Sequence, residues 1–400
     1  MAPLLSIEEA LARVLARARP LPPEPVPVGE TAGRVLAEDV AAAVDLPPFP
    51  SSAMDGFAVR AADLPGELQV VFRIAAGAPA TRRLEAGEAM EISTGGQVPE
   101  GATAVVPIEN VVGTDNTIAV EESVAEGAHI RSVGGDVCAG NPLLAAGTVL
   151  GAAQVGALAA AGVAAVVCAR RPSVVVLSTG TELRPLGEPL GAGQIYESNG
   201  PMLAAAFEAA GALVELIGPV ADDEEQHRRA LAHGLEADVL VSSGGVSVGP
   251  HDLVRRILAE LGVEEDFWGV SVRPGKPLAF GVRGETLVFG LPGNPVSALV
   301  SVELFVRPAL RALQGSADPG PHYEVARLAA PLRRNAARDS LLRARTRRDG
   351  DEILLEPLSG QESHMIARAA GADALVFVPA GEGELGAGDR VRYLRLTRYS

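Results

Sequence analysis

Residues 237–252, ADVLVSSGGVSVGPHD, run a hydrophobic strand, a glycine turn and the start of a charged helix together with no spacer. Val239, Leu240 and Val241 form the short apolar run of a parallel strand covered on both faces. Ser242, Ser243, Gly244, Gly245, Ser247 and Gly249 follow, with so little side-chain bulk that backbone N–H groups can wrap an anion. Pro250 suits a first helical turn, and Leu253, Ile257, Leu258 and Leu261 then recur at helical spacing. A ligand held by the glycines would face a helix N-terminus. By itself the pattern reads equally as a plain tight turn between strand and helix. Asp252 shifts that reading. A carboxylate in the first turn favours a helix by about 0.3–1 kcal/mol, whereas two negative charges about 4 Å apart repel by ~4 kcal/mol at an effective dielectric near 20. A phosphate beside Asp252 therefore requires a divalent cation between them.

The stretch sits in a region of strand–helix alternation. SVVVLS (173–178), ALVELIGPV (212–220) and ADVLVS (237–242) read as strands, and 201–211, 223–236, 251–262 and 294–313 as helices. The expectation is a three-layer α/β domain over 171–315. Open sheets of this kind take ligands beyond the carboxyl ends of their strands, where STGTEL, GPVADD, SSGGVSVGPHD and GLPGN stand here. Glu182, Asp222, Asp223 and Asp252 supply oxygens at these ends, with no His or Cys at metal-ligand spacing, a set that favours Mg²⁺ over zinc. Arg273, Lys276 and the PGNP turn at 292–295 supply positive charge and backbone donors. Lys276 is the one lysine among 34 basic residues, which suggests a site wanting a compact ammonium. No Ser-His-Asp or Cys-His nucleophile arrangement is discernible.

On either side the pattern changes. Ser6 and Glu9 make a capping box for a helix through about Arg19, with Ile7, Leu11, Val14 and Leu15 on one face, and the proline run 20–28 ends it. Short apolar stretches cut by Gly and Pro from Leu68 to Val124 read as a small β domain. Three turns mark this half: Asp55 before Gly56, Thr94 before two glycines, and Asp136 after Gly-Gly. Each reads either as turn chemistry or as a ligand contact. An Ala/Gly-rich helix follows from about 151 to 161. The expected division is 1–44 with 138–170 as a linker and dimerisation domain, 45–137 as an inserted β domain, and 316–400 as a small β barrel or sandwich. In that tail Arg343, Arg345, Arg347 and Arg348 alternate as a solvated strand face would.

The net charge of −16 argues against a nucleic-acid partner. It is unevenly spread: residues 316–400 carry 13 Arg and 12 acids, leaving 21 basic and 38 acidic residues to the first 315. Cys138 and Cys168 are too few for a disulfide framework and are expected to be small buried apolar residues. The chain has no long apolar run, and acids stand where a signal peptide would be basic, so a cytoplasmic protein without membrane contact is expected.

PPFPSSAMDGFAV, STGG, VPEGA, GGDVCAGN, LSTGTEL, the SNG after Tyr196, SSGGVSVGPHD, RPGKP and GLPGNPVSA occur in this order. With these motifs the chain resembles, over essentially its whole length, the molybdopterin molybdenumtransferases: the MoeA proteins and the gephyrin E domain. The resemblance implies an α/β plus β multidomain fold, with a three-layer α/β/α molybdopterin-binding domain, a small inserted β domain and a C-terminal β barrel. It also implies a transferase that inserts molybdate into adenylylated molybdopterin with Mg²⁺, releasing AMP. Two scattered cysteines suffice in such a protein, because the pterin brings both sulfurs.

Carried over by motif, Glu182, Asp222 and Asp252 are expected around Mg²⁺, and Asp55, Thr94, Glu182, Asp252 and Lys276 in the chemistry. Ser243, Gly244, Gly245, Ser247, Gly249, Arg273, Pro292, Asn294, Pro295, Asp136, Arg343 and Ser363 are expected to bind the substrate. The resemblance further implies a homodimer whose active site is shared between subunits, working with other molybdenum cofactor biosynthesis proteins. A tungstate-inserting or molybdopterin-adenylylating relative and a gephyrin-like scaffold are the competing readings. Four positions depart from the family pattern: Gly269 and Arg273 stand where lysines are common, Glu91 where arginine is common, and Thr103 where an aspartate is common.

Overall fold

The computed structural model describes residues 4–114, 116–220, 223–244 and 253–396. Asp222, Gly245, Ser247, Gly249 and Asp252, all named above, lie outside the described residues. No helix among the described residues is long and apolar enough to cross a membrane.

The central sheet has the strand order Leu213–Val220, Ser173–Thr179, Val239–Ser243, Thr286–Leu291, Ala279–Arg283, Glu264–Trp268. Its first four strands are parallel and its last two antiparallel. Side chains alternate across the pleat, and the sequence is apolar at both parities. Val174, Val176, Val239, Val241, Leu287 and Phe289 pack in one core with Leu203, Phe207 and the helical stretch 298–313. Val175, Leu177, Leu240 and Val288 pack in another with Leu231, Leu235, Val254, Ile257 and Leu258. Two helical layers on one sheet give the three-layer α/β/α arrangement. The stretch expected as one helix over 294–313 is continuous but contains a π segment, Val302–Val306, between Pro295–Ser301 and Arg307–Leu313. Pro308 stands two residues beyond that segment; it has no N–H to return to the preceding turn, and a widened turn accommodates the missing bond.

The capping box at Ser6 forms: its Oγ accepts from Glu9 N at 3.1 Å, and Glu9 Oε2 accepts from Ser6 N at 2.9 Å. The helix Ile7–Arg17 does not sit with the segment that follows it. It buries Ile7, Ala10 and Val14 in the α/β core beside Phe305 and Leu310, because its apolar stripe finds a ready-made helical layer there. Beyond the prolines, Pro23–Pro27 pairs with Ala165–Ala169 and Val40–Ala41 with Pro142–Leu144, around Leu36, Leu150, Leu158 and Cys168. Cys168 is buried as expected; Cys138 is exposed.

The small β domain is a six-stranded sheet in the order Ala104–Pro107, Gly56–Val59, Glu88–Ile92, Gly66–Ile74, Thr117–Val120, Val112–Thr114. It too has a core on each face, Phe57 and Val59 on one and Ala58 on the other. In the tail, Tyr323–Leu328, Arg390–Arg395, Ala374–Val378, Asp339–Asp349 and Glu352–Pro357 pair in turn, and the last pairs back to the first. The ring is a closed five-stranded barrel, which leaves no free edge between its members.

Candidate functional site

The carboxyl ends of the parallel strands are tied together by backbone contacts. Gly180 N donates to Val220 O at 3.3 Å and Gly244 N to Leu291 O at 3.1 Å. Gly244 has φ +92°, and a Cβ there would stand 3.1 Å from both Thr179 O and Thr179 Oγ1. Gly180 has φ +150°, and its missing side chain makes room for the Glu182 carboxylate, whose oxygens lie 2.7 Å from where a Cβ would be. Glycine is needed at both places, since L side chains rarely adopt these dihedrals and the space is already filled. Glu182 is exposed, and its carboxylate has no hydrogen-bond or ion-pair partner among the described residues.

Asn199 locks two of these loops. It opens the helix Asn199–Glu208, is 8% exposed, and its Nδ2 donates to Ser243 Oγ and to Gly293 O, both at 2.8 Å. Its Oδ1 is buried with no partner. An amide turned the other way would set an oxygen against the Gly293 carbonyl, so the two acceptors fix the orientation. Sequence reasoning placed SNG among the motifs but gave Asn199 no role; the signal was the Asn itself, a side chain with two donors ahead of an apolar helix.

The PGNP turn leads into the helix Pro295–Ser301, with Asn294 as N-cap and Pro295 in its first turn. One free N–H of that turn is used by the barrel: Val296 N donates to Ser363 O at 3.1 Å. Ser363 is thereby brought beside Asn294 and Pro295, and Pro292 is buried beneath them. Arg273 is exposed and paired through the backbone with Ser340 of the barrel. Lys276 is half-buried on the same connection; its carbonyl accepts from Val270 N at 3.0 Å and Leu278 N at 2.9 Å. Its ammonium has no partner among the described residues.

Arg343 departs from the expectation. It is 1% exposed, so it is neither on a solvated face nor open to a ligand. Its fork donates to Met365 O at 2.7 Å, Gly360 O at 2.6 Å and Glu362 O at 3.2 Å, and Gln361 Nε2 returns a bond to Arg343 O at 2.8 Å. Burial lowers its pKa from the usual arginine value. The side chain holds the loop that presents Ser363.

In the front half, one extended segment gathers the three turns. Asp55 Oδ1 accepts from Thr94 N at 2.7 Å, Gly95 N donates to Ser52 O at 2.8 Å, and Asp136 N donates to Leu46 O at 2.9 Å. Asp55, Thr94 and Asp136 are all exposed. Among the described residues, no hydrogen bond or ion pair within the chain joins these turns to the loops at the sheet edge.

Asp223 is spent as a helix cap, its Oδ1 accepting from Gln226 N at 2.8 Å. The departures have local roles. Gly269 has φ +91° with Leu4 Cδ2 2.7 Å from a would-be Cβ, so this backbone is built around glycine. Glu91 pairs with Arg73 at 3.0 Å across adjacent strands, and Thr103 Oγ1 accepts from Ala61 N at 2.9 Å. No group of three His, Cys, Asp or Glu that would hold a metal ion occurs among the described residues. Of the three carboxylates expected to do so only Glu182 is described, and an unpaired exposed carboxylate on a glycine edge is the hard oxygen donor Mg²⁺ takes.

Three family profiles match in order: the MoeA N-terminal region (domain I and II) over residues 5–162, a probable molybdopterin binding domain over 175–312, and the MoeA C-terminal region (domain IV) over 325–396. Molybdopterin molybdenumtransferase 2 of Mycobacterium tuberculosis is 37% identical, with 98% of this chain and 100% of that protein aligned. Molybdopterin molybdenumtransferase of Haemophilus influenzae is 34% identical over 97% of this chain and 98% of its own. The crystal structure of the molybdopterin biosynthesis moeA protein from Pyrococcus horikoshii OT3 superposes with a TM-score of 0.84 at 29% identity, covering 98% of this chain and all of that one. With the order of domains, the closed barrel and relatives aligned from end to end in agreement, the chain belongs to the MoeA family, the molybdopterin molybdenumtransferases.

Proposed function

We propose that this protein transfers molybdenum from molybdate to the dithiolate of adenylylated molybdopterin, with release of AMP, in molybdenum cofactor biosynthesis. The observation that carries the reading is the knot of glycine loops at the carboxyl edge. There Gly180, Gly244 and the Gly293 turn meet, Glu182 is folded over the edge, and a barrel loop closes on the PGNP helix. The amides of Gly180, Gly244 and Val296 are spent in holding the loops together, so the edge is a rigid, small-residue floor on which a nucleotide can lie close to the backbone, which is binding work.

Glu182, with Asp222 and Asp252, would hold Mg²⁺, which when bound neutralises phosphate charge and stabilises the departing AMP. Lys276 and Arg273 attract the oxyanion; the ammonium is a point charge and the guanidinium a fork, so the two are not interchangeable. Ser243 and Gly244 line the approach of the pterin, and Asn199 ties Ser243 to the Gly293 turn. Asp55, Thr94 and Asp136 lie on a separate body of the chain. In a homodimer, one protomer's front half would complete its partner's sheet edge.

The test is AMP release from adenylylated molybdopterin with molybdate and Mg²⁺. Glu182→Gln and Asp252→Ala are each expected to lower turnover at least a hundredfold while leaving circular dichroism unchanged. Turnover within threefold of the unsubstituted protein in both would remove the edge from the chemistry.

A further inference from the structure

At the amino ends of the same strands lies a second cavity, of about 860 Å³, that the reading above does not use. Three parts of the chain wall it: residues 30–35 with 147–149, the starts of the strands near Arg171 and Gly211, and the end of the helical stretch through Ser316. One face of that helix is charged where its neighbours are apolar. Glu303, Arg307 and Arg311 follow one another at four-residue spacing, one above the other. Glu303 and Arg307 are each 8% exposed and joined at 3.0 Å. Arg307 Nε is buried with no partner. Arg311 is half-buried; among the described residues it donates to the Gly320 carbonyl at 3.1 Å and pairs with no carboxylate. One buried and one half-buried guanidinium thus stand beside a single buried carboxylate, which is bonded to the first.

A charge taken out of water without a counter-ion is costly, and an N–H left bare adds to the cost. Of the other charges around the cavity, Asp318 acts on Arg311 from the exposed rim. Glu30, Glu208 and Asp318 are exposed at the rim, Asp318 lies 3.5 Å from His322, and Arg34 is engaged by Glu24. Arg171 stands exposed at the rim, fixed through its Nε to Gly211 O at 2.8 Å. The floor therefore carries the excess positive charge, and the rim is mixed. We propose that this cavity binds a small anionic molecule through a carboxylate or phosphate group, seated on Arg311 and on the Arg307 side chain where it lines the cavity. The volume suits a metabolite rather than a bare ion. Because the walls come from separate bodies of the chain, an occupant would also fix their relative positions.

Isothermal titration of the full chain at constant ionic strength tests this, with inorganic phosphate and citrate as separate probes to tell the two headgroups apart. Lys276→Ala serves as the background, so that binding at the opposite edge of the sheet is not counted. At least one probe is expected to bind with one site per chain. Arg311→Met should weaken that binding at least tenfold, and Glu303→Gln, which removes the competing buried carboxylate, should tighten it several-fold. Arg311→Lys, which keeps the charge, should fall between. No saturable binding of either probe, or equal affinity in Arg311→Met and Glu303→Gln, would overturn the proposal. So would an Arg311→Met protein that changes its oligomeric state by light scattering with no change in anion affinity, since the cavity would then be a subunit contact. None of these results bears on AMP release at the other edge.

Discussion

Arg343→Lys separates two things an arginine can do. If the guanidinium served as a positive charge for a ligand, lysine would keep most of the function. The structure instead shows a fork used up on carbonyls: Met365 O at 2.7 Å, Gly360 O at 2.6 Å and Glu362 O at 3.2 Å. A single ammonium reaches one of the two short bonds, because Gly360 and Met365 lie on opposite limbs of the loop. Hydrogen bonds from a charged donor contribute about 1.5–3 kcal/mol each. Losing one short bond and the longer one, with part of the loss regained by hydration of the exposed loop, comes to about 3 kcal/mol. That is roughly a 150-fold rise in the opening constant of residues 358–365. The reporter is the Val296 amide, bonded to Ser363 O at 3.1 Å. Its hydrogen exchange should quicken by about two orders of magnitude, while amides inside the barrel strands stay protected. Turnover should fall about as far in Arg343→Lys as in Arg343→Met. Unchanged Val296 exchange together with near-normal turnover in the lysine variant would refute the argument.

Asn199→Ala removes both bonds between the glycine loops and should cost about 2–3 kcal/mol in urea unfolding, with a loss of turnover larger than the unfolded fraction explains; a change under 0.5 kcal/mol would show that the loops hold themselves. Lys276→Arg keeps the charge but spreads it over a plane, and turnover should drop at least tenfold with little change in melting temperature; normal kinetics would leave the lone lysine without a function. In the barrel, hydrogen bonds from Arg395 and Tyr393 lower the Glu324 pKa from 4.5 to about 2. The carboxylate therefore stabilises the fold at pH above about 4.5, and that contribution is lost as the pH falls toward 2. Because its side chain is 45% exposed, solvent screening limits the effect to about 1 kcal/mol. The stability gap between the native protein and Glu324→Gln should accordingly be about 1 kcal/mol at pH 7 and shrink by pH 3; a gap that grows on acidification would contradict the sign.

Much of the fold could be read from local pattern because the relevant contacts repeat it. The apolar runs at 173–179 and 239–243 bury alternate side chains in two different cores, and a strand apolar at both parities admits no other environment in water. The same local rule failed at Arg343. Alternating arginines from 343 to 348 look like a wet face, and Arg345, Arg347 and Arg348 are exposed. Arg343 turns inward because the loop at 358–365 supplies enough carbonyls to satisfy a guanidinium, and no spacing near residue 343 announces that loop. The packing partner of the first helix is hidden from local pattern for a related reason. Its amphipathic stripe shows that it must pack, but not that the partner is Phe305 and Leu310.

The edge loops follow the same division between what is local and what is distant. Glycines at 180 and 244 announce themselves, since the need for a positive φ and for an empty Cβ position is met by one residue type. Asn199 gives no such notice, because what makes it necessary is a carbonyl 94 residues away in sequence. Its second acceptor, Ser243, is 44 residues away. A residue chosen by distant acceptors can change only when both loops change with it. The two loops it joins are therefore one unit, and a substitution at Asn199 should disturb Ser243 and Gly293 together rather than either alone. If the Gly293 turn loosened in Asn199→Ala while Ser243 kept its place, the loops would be independent and each would have to be ordered by the substrate itself.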